Sequence, residues 1–352
     1  MASSSSPLIH PLLTTNNRIS SRHAYTCNFS LPSCPLNKFI NRHMLITAMA
    51  QPQRSAMEYN QVGDSDLVVS EITYGTMTFG EQNTEKEAHE ILSYAFEHGI
   101  NTLDTAEAYP IPMKKETQGL TDTYIGNWMK SRPRDQIILA TKVAGYSERS
   151  AYLRDNAEVV RVDAANIKES VEKSLKRLKT DYIDLLQIHW PDRYVALFGE
   201  FFYNPSNWRQ SVPFVEQLRA FQELIEEGKV RYIGVSNETS YGVMEFVHAA
   251  KAEGLPKIVS IQNSYSLLAR CKFEATAQYI EMAKKHGLTP VELALGFARD
   301  RPFMTSTIIG ATSLEQLKED MDAFLTTERP LPPDVMADIE SLFKRYKDPT
   351  IL

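Results

Sequence analysis

Residues Ile72–Gly80 read ITYGTMTFG, a short apolar strand running into Gly75-Thr-Met-Thr-Phe-Gly80. A doubly wound sheet that binds a dinucleotide carries G-x-G-x-x-G at this place, after its first strand. This chain does not have it there. No P-loop, H-E-x-x-H or G-x-S-x-G motif occurs anywhere else in the chain. The surrounding pattern must therefore choose the fold. Upstream, Met57–Val62 and Leu67–Val69 flank Gly63–Ser65 and read as a small hairpin. Downstream, Thr84-Glu-Lys-Glu87 is a capping box that opens a helix with Ala88, Ile91, Leu92 and Ala95 on one face.

Short apolar runs then alternate with amphipathic ones. Strands are expected at Thr102–Thr105, Ile137–Val143, Ile183–His189, Tyr232–Ser236, Ile258–Gln262 and Thr307–Gly310. Helices are expected from Asn166, from Phe214 to Gly228, and over Val243–Ala250, Thr276–His286, Pro290–Ala298, Ser313–Phe324 and Val335–Tyr346. Alternation of this kind means parallel strands with crossover helices. Without a dinucleotide fingerprint, the expected fold is a (β/α)8 TIM barrel with an N-terminal β-hairpin. Only seven of the eight strands can be found. Between Gln262 and Thr307 there are two helices, the polar Ala269–Glu274 and the link Gly287–Thr289, with no apolar strand between the helices.

A barrel keeps its chemistry at the C-terminal ends of its strands. Those ends supply Asp104, with Tyr109 five residues on, then Lys142, His189, Ser236-Asn237 and Gln262-Asn263. An Asp at a strand end is by itself a cap, a Lys a rim charge, and a His or Tyr packing. Together they would bring a carboxylate, a phenol, an ammonium and an imidazole to one mouth. Ionisable groups there are costly unless paired.

Composition limits the alternatives. The 352 residues carry 38 Lys+Arg against 44 Asp+Glu, a net charge of −6, and 43% are hydrophobic. That is a globular balance, with no basic footprint for nucleic acid and no apolar run of membrane-spanning length. Residues 1–57 contain no Asp or Glu, are rich in Ser and Thr, and hold Arg18, Arg22, Lys38, Arg42 and Arg54. This is the composition of an organelle transit peptide. Residues 1–50 are expected to be a disordered plastid transit peptide ahead of a barrel over 51–352, which places the mature chain in the chloroplast stroma. Cys27 and Cys34 would leave with that segment. Cys271 alone makes no disulfide and no metal cluster.

The motifs ITYGTMTFG, INTLDTAEAY, IILATKV, DLLQIHW, YIGVSN and IIGATSLEQLKED together resemble the aldo-keto reductase family. Within it, the Tas-type branch and its plant chloroplast relatives are nearest. The resemblance implies reduction of small aldehydes or ketones with NADPH and no metal. A hydride goes from the nicotinamide to the carbonyl carbon and a proton from Tyr109 to its oxygen. It implies that Lys142 lowers the phenol pKa, that Asp104 keeps the ammonium charged, and that His189 orients the carbonyl.

It also implies that Ser236, Asn237 and Gln262 hold the nicotinamide carboxamide, with Thr76, Met77 and Asp104 lining the cofactor. Gly310, Thr312, Gln316, Glu319 and Asp320 would meet the adenosine-phosphate end. Position 320 is Asp where the family usually has Asn, and Gly310–Gln316 holds no Arg or Lys, so NADP(H) is inferred from kinship.

Two departures stand out. The family's seventh strand and a long loop belong between Phe273 and Ala275, so the 274/275 junction reads as an internal deletion of several tens of residues. The insertion Pro191–Val212 carries Tyr194, Phe198, Phe201, Phe202, Tyr203 and Trp208. It reads either as a lid over the mouth or as packing on outer helices. Two other roles compete with catalysis: a non-catalytic dinucleotide-binding regulatory subunit and an inactive truncated isoform. Oligomeric state and physiological substrate are not legible.

Overall fold

The computed structural model describes residues 56–200, 202–267 and 275–346. The expected transit peptide and Cys271 lie outside them, as do Phe201 and most of the stretch before the 274/275 junction.

The chain opens with an antiparallel hairpin of β1 (Tyr59–Gln61) and β2 (Val68–Ser70). Strand and helix then alternate: β3 (Ile72–Gly75), α1 (Glu85–Glu97), β4 (Thr102–Asp104), α2 (Leu120–Met129), β5 (Ile138–Val143), α3 (Ala164–Leu178), β6 (Ile183–Ile188), α4 (Phe214–Glu226), β7 (Val230–Ser236), α5 (Ser240–Glu253) and β8 (Ile258–Gln262). After β8 come two helices in succession, α6 (Ala275–Lys285) and α7 (Pro290–Arg299). The chain closes with β9 (Thr307–Ile309), α8 (Leu314–Thr326) and α9 (Pro333–Tyr346).

Strands β3 to β9 form one parallel sheet of seven, in the order β8-β7-β6-β5-β4-β3-β9. Each strand lies beside its predecessor, and the last returns to the first through Thr73↔Ile308. That is the connectivity of a curled α/β barrel sheet. The ring does not close: among the described residues β8 and β9 are its two edges. The absence of a strand between α6 and α7 agrees with the sequence reading.

The middle of the sheet is dry because both of its faces are covered. Every residue of β4 and β6 is buried, and all but the first of β5. Such strands read as continuous apolar runs rather than alternations. The α1 capping box is present, and Ala88, Ile91, Leu92 and Ala95 face inward as expected. Helix α2 went unread in the sequence. It starts at the left-handed Gly119 with no side-chain cap, and it buries Thr121 and Asp122 alongside Ile125 and Trp128. A face that mixes polar and apolar residues gives no clean period-3.6 stripe.

Several bounds also move by a residue or two. β3 stops at Gly75, so Thr76 and Met77 lie in the turn after it. β7 begins at Val230 and α3 at Ala164, where Asp163 caps it.

Candidate active site

Strands β4, β5 and β6 are neighbours, so the residues at their C-terminal ends must converge. Lys142, the fifth residue of β5, is buried, and its Nζ donates to Asp104 Oδ2 at 2.6 Å and to the Thr105 carbonyl at 2.9 Å. The same ammonium stands 5.1 Å from the centroid of the Tyr109 ring. The His189 ring meets Tyr109 edge-on, with centroids 5.5 Å apart and planes at 82°. All four side chains expected at the mouth are therefore together, and each is almost completely buried.

Burial and charge set their protonation. Burial alone would lower the Lys142 pKa, but the Asp104 carboxylate and the Tyr109 phenol outweigh it, so the ammonium is held above its usual range. Burial drives His189 well below the ordinary 6.5, and Lys142 adds to the effect, so the imidazole is neutral at neutral pH. At Tyr109 burial and Lys142 act in opposite directions, and Lys142 pulls the pKa down as the resemblance implied. Burial pushes its phenol up, and Asp104 adds to that; the opposing pull of Lys142 does not overcome it. In the free protein the phenol therefore keeps its proton.

The amides form a second layer. Asn237 sits in the left-handed region at φ 51°. Its Nδ2 donates to the His189 carbonyl at 2.9 Å and to Ser236 Oγ at 3.2 Å, and its N–H donates to the Gln262 carbonyl at 3.1 Å. Gln262 Oε1 accepts from Gln187 at 2.8 Å, and its Nε2 lies 3.3 Å from Asp104 Oδ2. Asn263 pairs with the Glu238 backbone instead. Thr76 is buried, with its hydroxyl and N–H on the Asp104 carbonyl, whereas Met77 is half exposed.

Gly310 and Thr312 lie on the other side of the opening, beyond β9. Tyr74 Oη donates to the Ala311 carbonyl at 2.9 Å and Asn83 Nδ2 to the Thr312 carbonyl at 2.8 Å, which pins this turn from below. Ser313 caps α8, and Gln316 Oε1 accepts from both the N–H and the hydroxyl of Thr312. Glu319 is exposed. Asp320 is half-buried, and burial with Glu319 nearby pushes its carboxyl up to about 6.

The fit to a nicotinamide can be judged from what is left unsatisfied. Asp104 Oδ1 and His189 Nδ1 are buried with no hydrogen-bond partner. Buried polar atoms of this kind are normally satisfied by something. With the amides of Asn237 and Gln262 next to them, they suit a polar aromatic amide and a carbonyl substrate. Among the described residues no cluster of His, Cys, Asp and Glu could hold a metal.

The sequence reading missed Glu107 and Arg154. Their side chains are completely buried and paired, Arg154 Nη1 to Glu107 Oε2 at 2.7 Å and Nη2 to Oε1 at 2.9 Å. Glu107 lay inside a quoted motif, but nothing local marks an arginine so far along the chain as its partner. Four of the described aromatics in the insertion after β6 are not packed on outer helices. Phe198, Phe202, Tyr203 and Trp208 are exposed, and Phe198 meets Trp190 edge-on at 5.8 Å.

The Aldo/keto reductase family model matches residues 71–274 and again 269–344. The chain belongs to the aldo/keto reductase family. It is 39% identical to Protein tas of Escherichia coli over 354 residues, covering 83% of this chain and 99% of that one. It is 28% identical to the uncharacterized oxidoreductase YrpG of Bacillus subtilis (82% and 96% covered), and 40% identical to an aldo-keto reductase of Babesia bovis over 156 residues (42% and 53%). An aldo/keto reductase is an oxidoreductase acting on small carbonyl compounds. The family match comes in two pieces that meet at 269–274. The 354-residue alignment takes in only 83% of a 352-residue chain, so gaps of several tens of positions fall on this side.

Proposed function

We propose that this chain reduces an aldehyde or ketone to the alcohol with NADPH, with Tyr109 as the proton donor. The observation that carries the reading is the Lys142–Asp104 pair at 2.6 Å beneath the Tyr109 ring, with His189 against its edge. The nicotinamide, when bound, supplies a hydride to the carbonyl carbon. The chain's own residues do the rest. His189, neutral and buried, donates one N–H to the carbonyl oxygen and fixes its direction. Tyr109, kept protonated by burial, gives its proton to that oxygen as negative charge develops there. The phenolate left behind is stabilised by the adjacent Lys142 ammonium, which Asp104 keeps charged.

Asn237, Ser236 and Gln262 would hold the carboxamide, with Thr76 and Met77 beside it. The capped start of α8, with Gly310, Thr312, Gln316 and Glu319, would take the adenosine end, since helix N-termini suit phosphate. NADPH oxidation by an aromatic aldehyde, run beside Tyr109→Phe, tests the reading. Turnover that survives the substitution unchanged would overturn it.

A second reading concerns how firmly the cofactor is held. The 274/275 junction marks a deleted seventh strand and loop; the two-piece family match, the gapped alignment and the edges β8 and β9, unpaired among the described residues, support this. Phosphate sites in such barrels are commonly built after strands seven and eight. The chain would then keep its acid–base residues and bind dinucleotide weakly, as a truncated isoform. A submicromolar dissociation constant from Trp fluorescence titration would refute this. The acid-free, Ser-rich opening supports import into the plastid stroma. Uptake and trimming by isolated chloroplasts is the check.

A further inference from the structure

We propose that Glu107, clamped by Arg154, is a positioning residue that sets how close Tyr109 stands to Lys142. The inference deepens the proposed function and rests on its reading of Tyr109 as proton donor.

Asp104 ends β4, Tyr109 lies in the loop that follows it, and Lys142 belongs to β5. Two short ladders could join them, and Glu107 provides the second. The first is main chain: Thr105 N–H donates to the Ala140 carbonyl at 2.9 Å, extending the β4–β5 pairing by one step. Past that point the loop leaves the sheet. Glu107 fastens it again at Lys142 and two residues beyond it. Its N–H donates to the Lys142 carbonyl at 3.2 Å, and its Oε1 accepts from Ala144 N–H at 2.7 Å. Its carbonyl accepts from Gln118 Nε2 at 2.7 Å. From Glu107 the chain turns directly into Tyr109, whose N–H bonds the Ala106 carbonyl at 3.0 Å. The phenol is thus two residues from a side chain bonded to Ala144, the residue that follows the strand bearing the ammonium.

A lone carboxylate could not do this, because burying it unpaired is prohibitive. Arg154 makes it tenable with a two-pronged fork, the geometry in which arginine fixes direction as well as charge. The arginine is itself aimed from behind, with Nε on Asn166 Oδ1 at 3.0 Å and Nη1 on the Leu153 carbonyl at 3.2 Å. Asn166 lies in the first turn of α3. The restraint therefore runs from α3 through Arg154 and Glu107 to the Tyr109 turn.

The alternative is a purely structural pair that ties residues 144–166 to α3. Two charge-conserving variants separate the two roles. Glu107→Asp shortens the reach by one methylene, and Arg154→Lys removes the fork. The charges and dipoles facing Tyr109 are Asp104 from β4, Lys142 from β5 and His189 after β6, and neither variant alters them. Any change at the phenol then comes from distance.

The first readout needs no turnover. In protein labelled with carbon-13 at tyrosine Cζ, the Tyr109 signal is identified by its loss in Tyr109→Phe. It is expected to move in Glu107→Asp and, by less, in Arg154→Lys. The second readout is the reductase pH profile. With Lys142 farther away, the alkaline limb moves to higher pH, and kcat falls at least tenfold while KM for NADPH stays within twofold. Variants that melt earlier but keep the wild-type Tyr109 signal and alkaline limb would overturn the proposal. If Glu107→Asp does not fold, Arg154→Lys decides alone by the same criteria. If the wild type itself proves inactive, the functional reading fails, and the carbon-13 shift still decides the positioning role.

Discussion

The run β4–β5–β6 and the pair β8 and β9 differ in how they are joined. The first three are adjacent in the chain and in the sheet, and Asp104, Lys142 and His189 stand at their ends within one buried network. The other two flank an opening and do not pair with each other among the described residues. Ile261 on β8 and Ile308 on β9 are both exposed, as is Phe303 just before β9. The four mouth residues are held by neighbouring strands, so they do not depend on pairing between β8 and β9. The proposed cofactor contacts are divided between Gln262 on one edge and Gly310 beyond the other, so they depend on closure.

Each half of this contrast can be attacked. The largest effects are expected in the closed half. Tyr109→Phe should lower turnover by about 10²–10⁴, the range removed with a general acid, and leave thermal stability nearly unchanged. Lys142→Met should abolish activity and also destabilise, by about 3–5 kcal/mol in denaturant titration, because Asp104 is left as a buried unpaired charge. Equal stability of the two variants would mean that the network is looser than its distances state.

Effects in the open half should be smaller. Inserting the matching segment of the Escherichia coli relative at 274/275 should tighten NADPH binding at least tenfold, about 1.4 kcal/mol, with little change at Asp104, Tyr109, Lys142 and His189. No gain would show that closure is not what limits binding.

A pH test returns to the closed half. The folded-state pKa of His189 is depressed, so the unfolded chain binds the extra proton first. Stability from this group is complete above 6.5 and is lost as pH falls below that value, at no more than about 1.4 kcal/mol per pH unit. His189→Gln should flatten that part of the stability curve relative to wild type. The smallest effect is expected from Ile308→Lys. It should change stability by no more than about 0.5 kcal/mol, yet reduce concentration-dependent association in sedimentation, because a charge blunts an exposed strand edge.

Most of the architecture could be read in advance, and the reason is local. Strands such as Ile138–Val143 are apolar runs, and α1 announces itself by Thr84 and Glu87. Helix α2 was missed because its buried face includes Thr121 and Asp122, satisfied by Phe79 and by Thr105 and Arg177. The four mouth residues were legible because each ends a recognisable strand or follows one. The Glu107–Arg154 pair was not, since pairing across 47 positions leaves no periodic trace. The net shift at Tyr109 was hidden for a related reason. Counting its charged neighbour favoured a lowered pKa, but the extent of burial, which outweighs that neighbour, is known only once the chain has folded.

The sequence alone therefore determined the alternation of strand and helix, the polar residues at the strand ends and, among the described residues, the absence of a strand between α6 and α7. These follow from the periodicity and chemistry of neighbouring residues. Tertiary structure decided which charges meet, which way the phenol and imidazole are shifted, and where the sheet is left open. Those properties depend on distance and on exclusion of water, and both arise only when remote segments pack together.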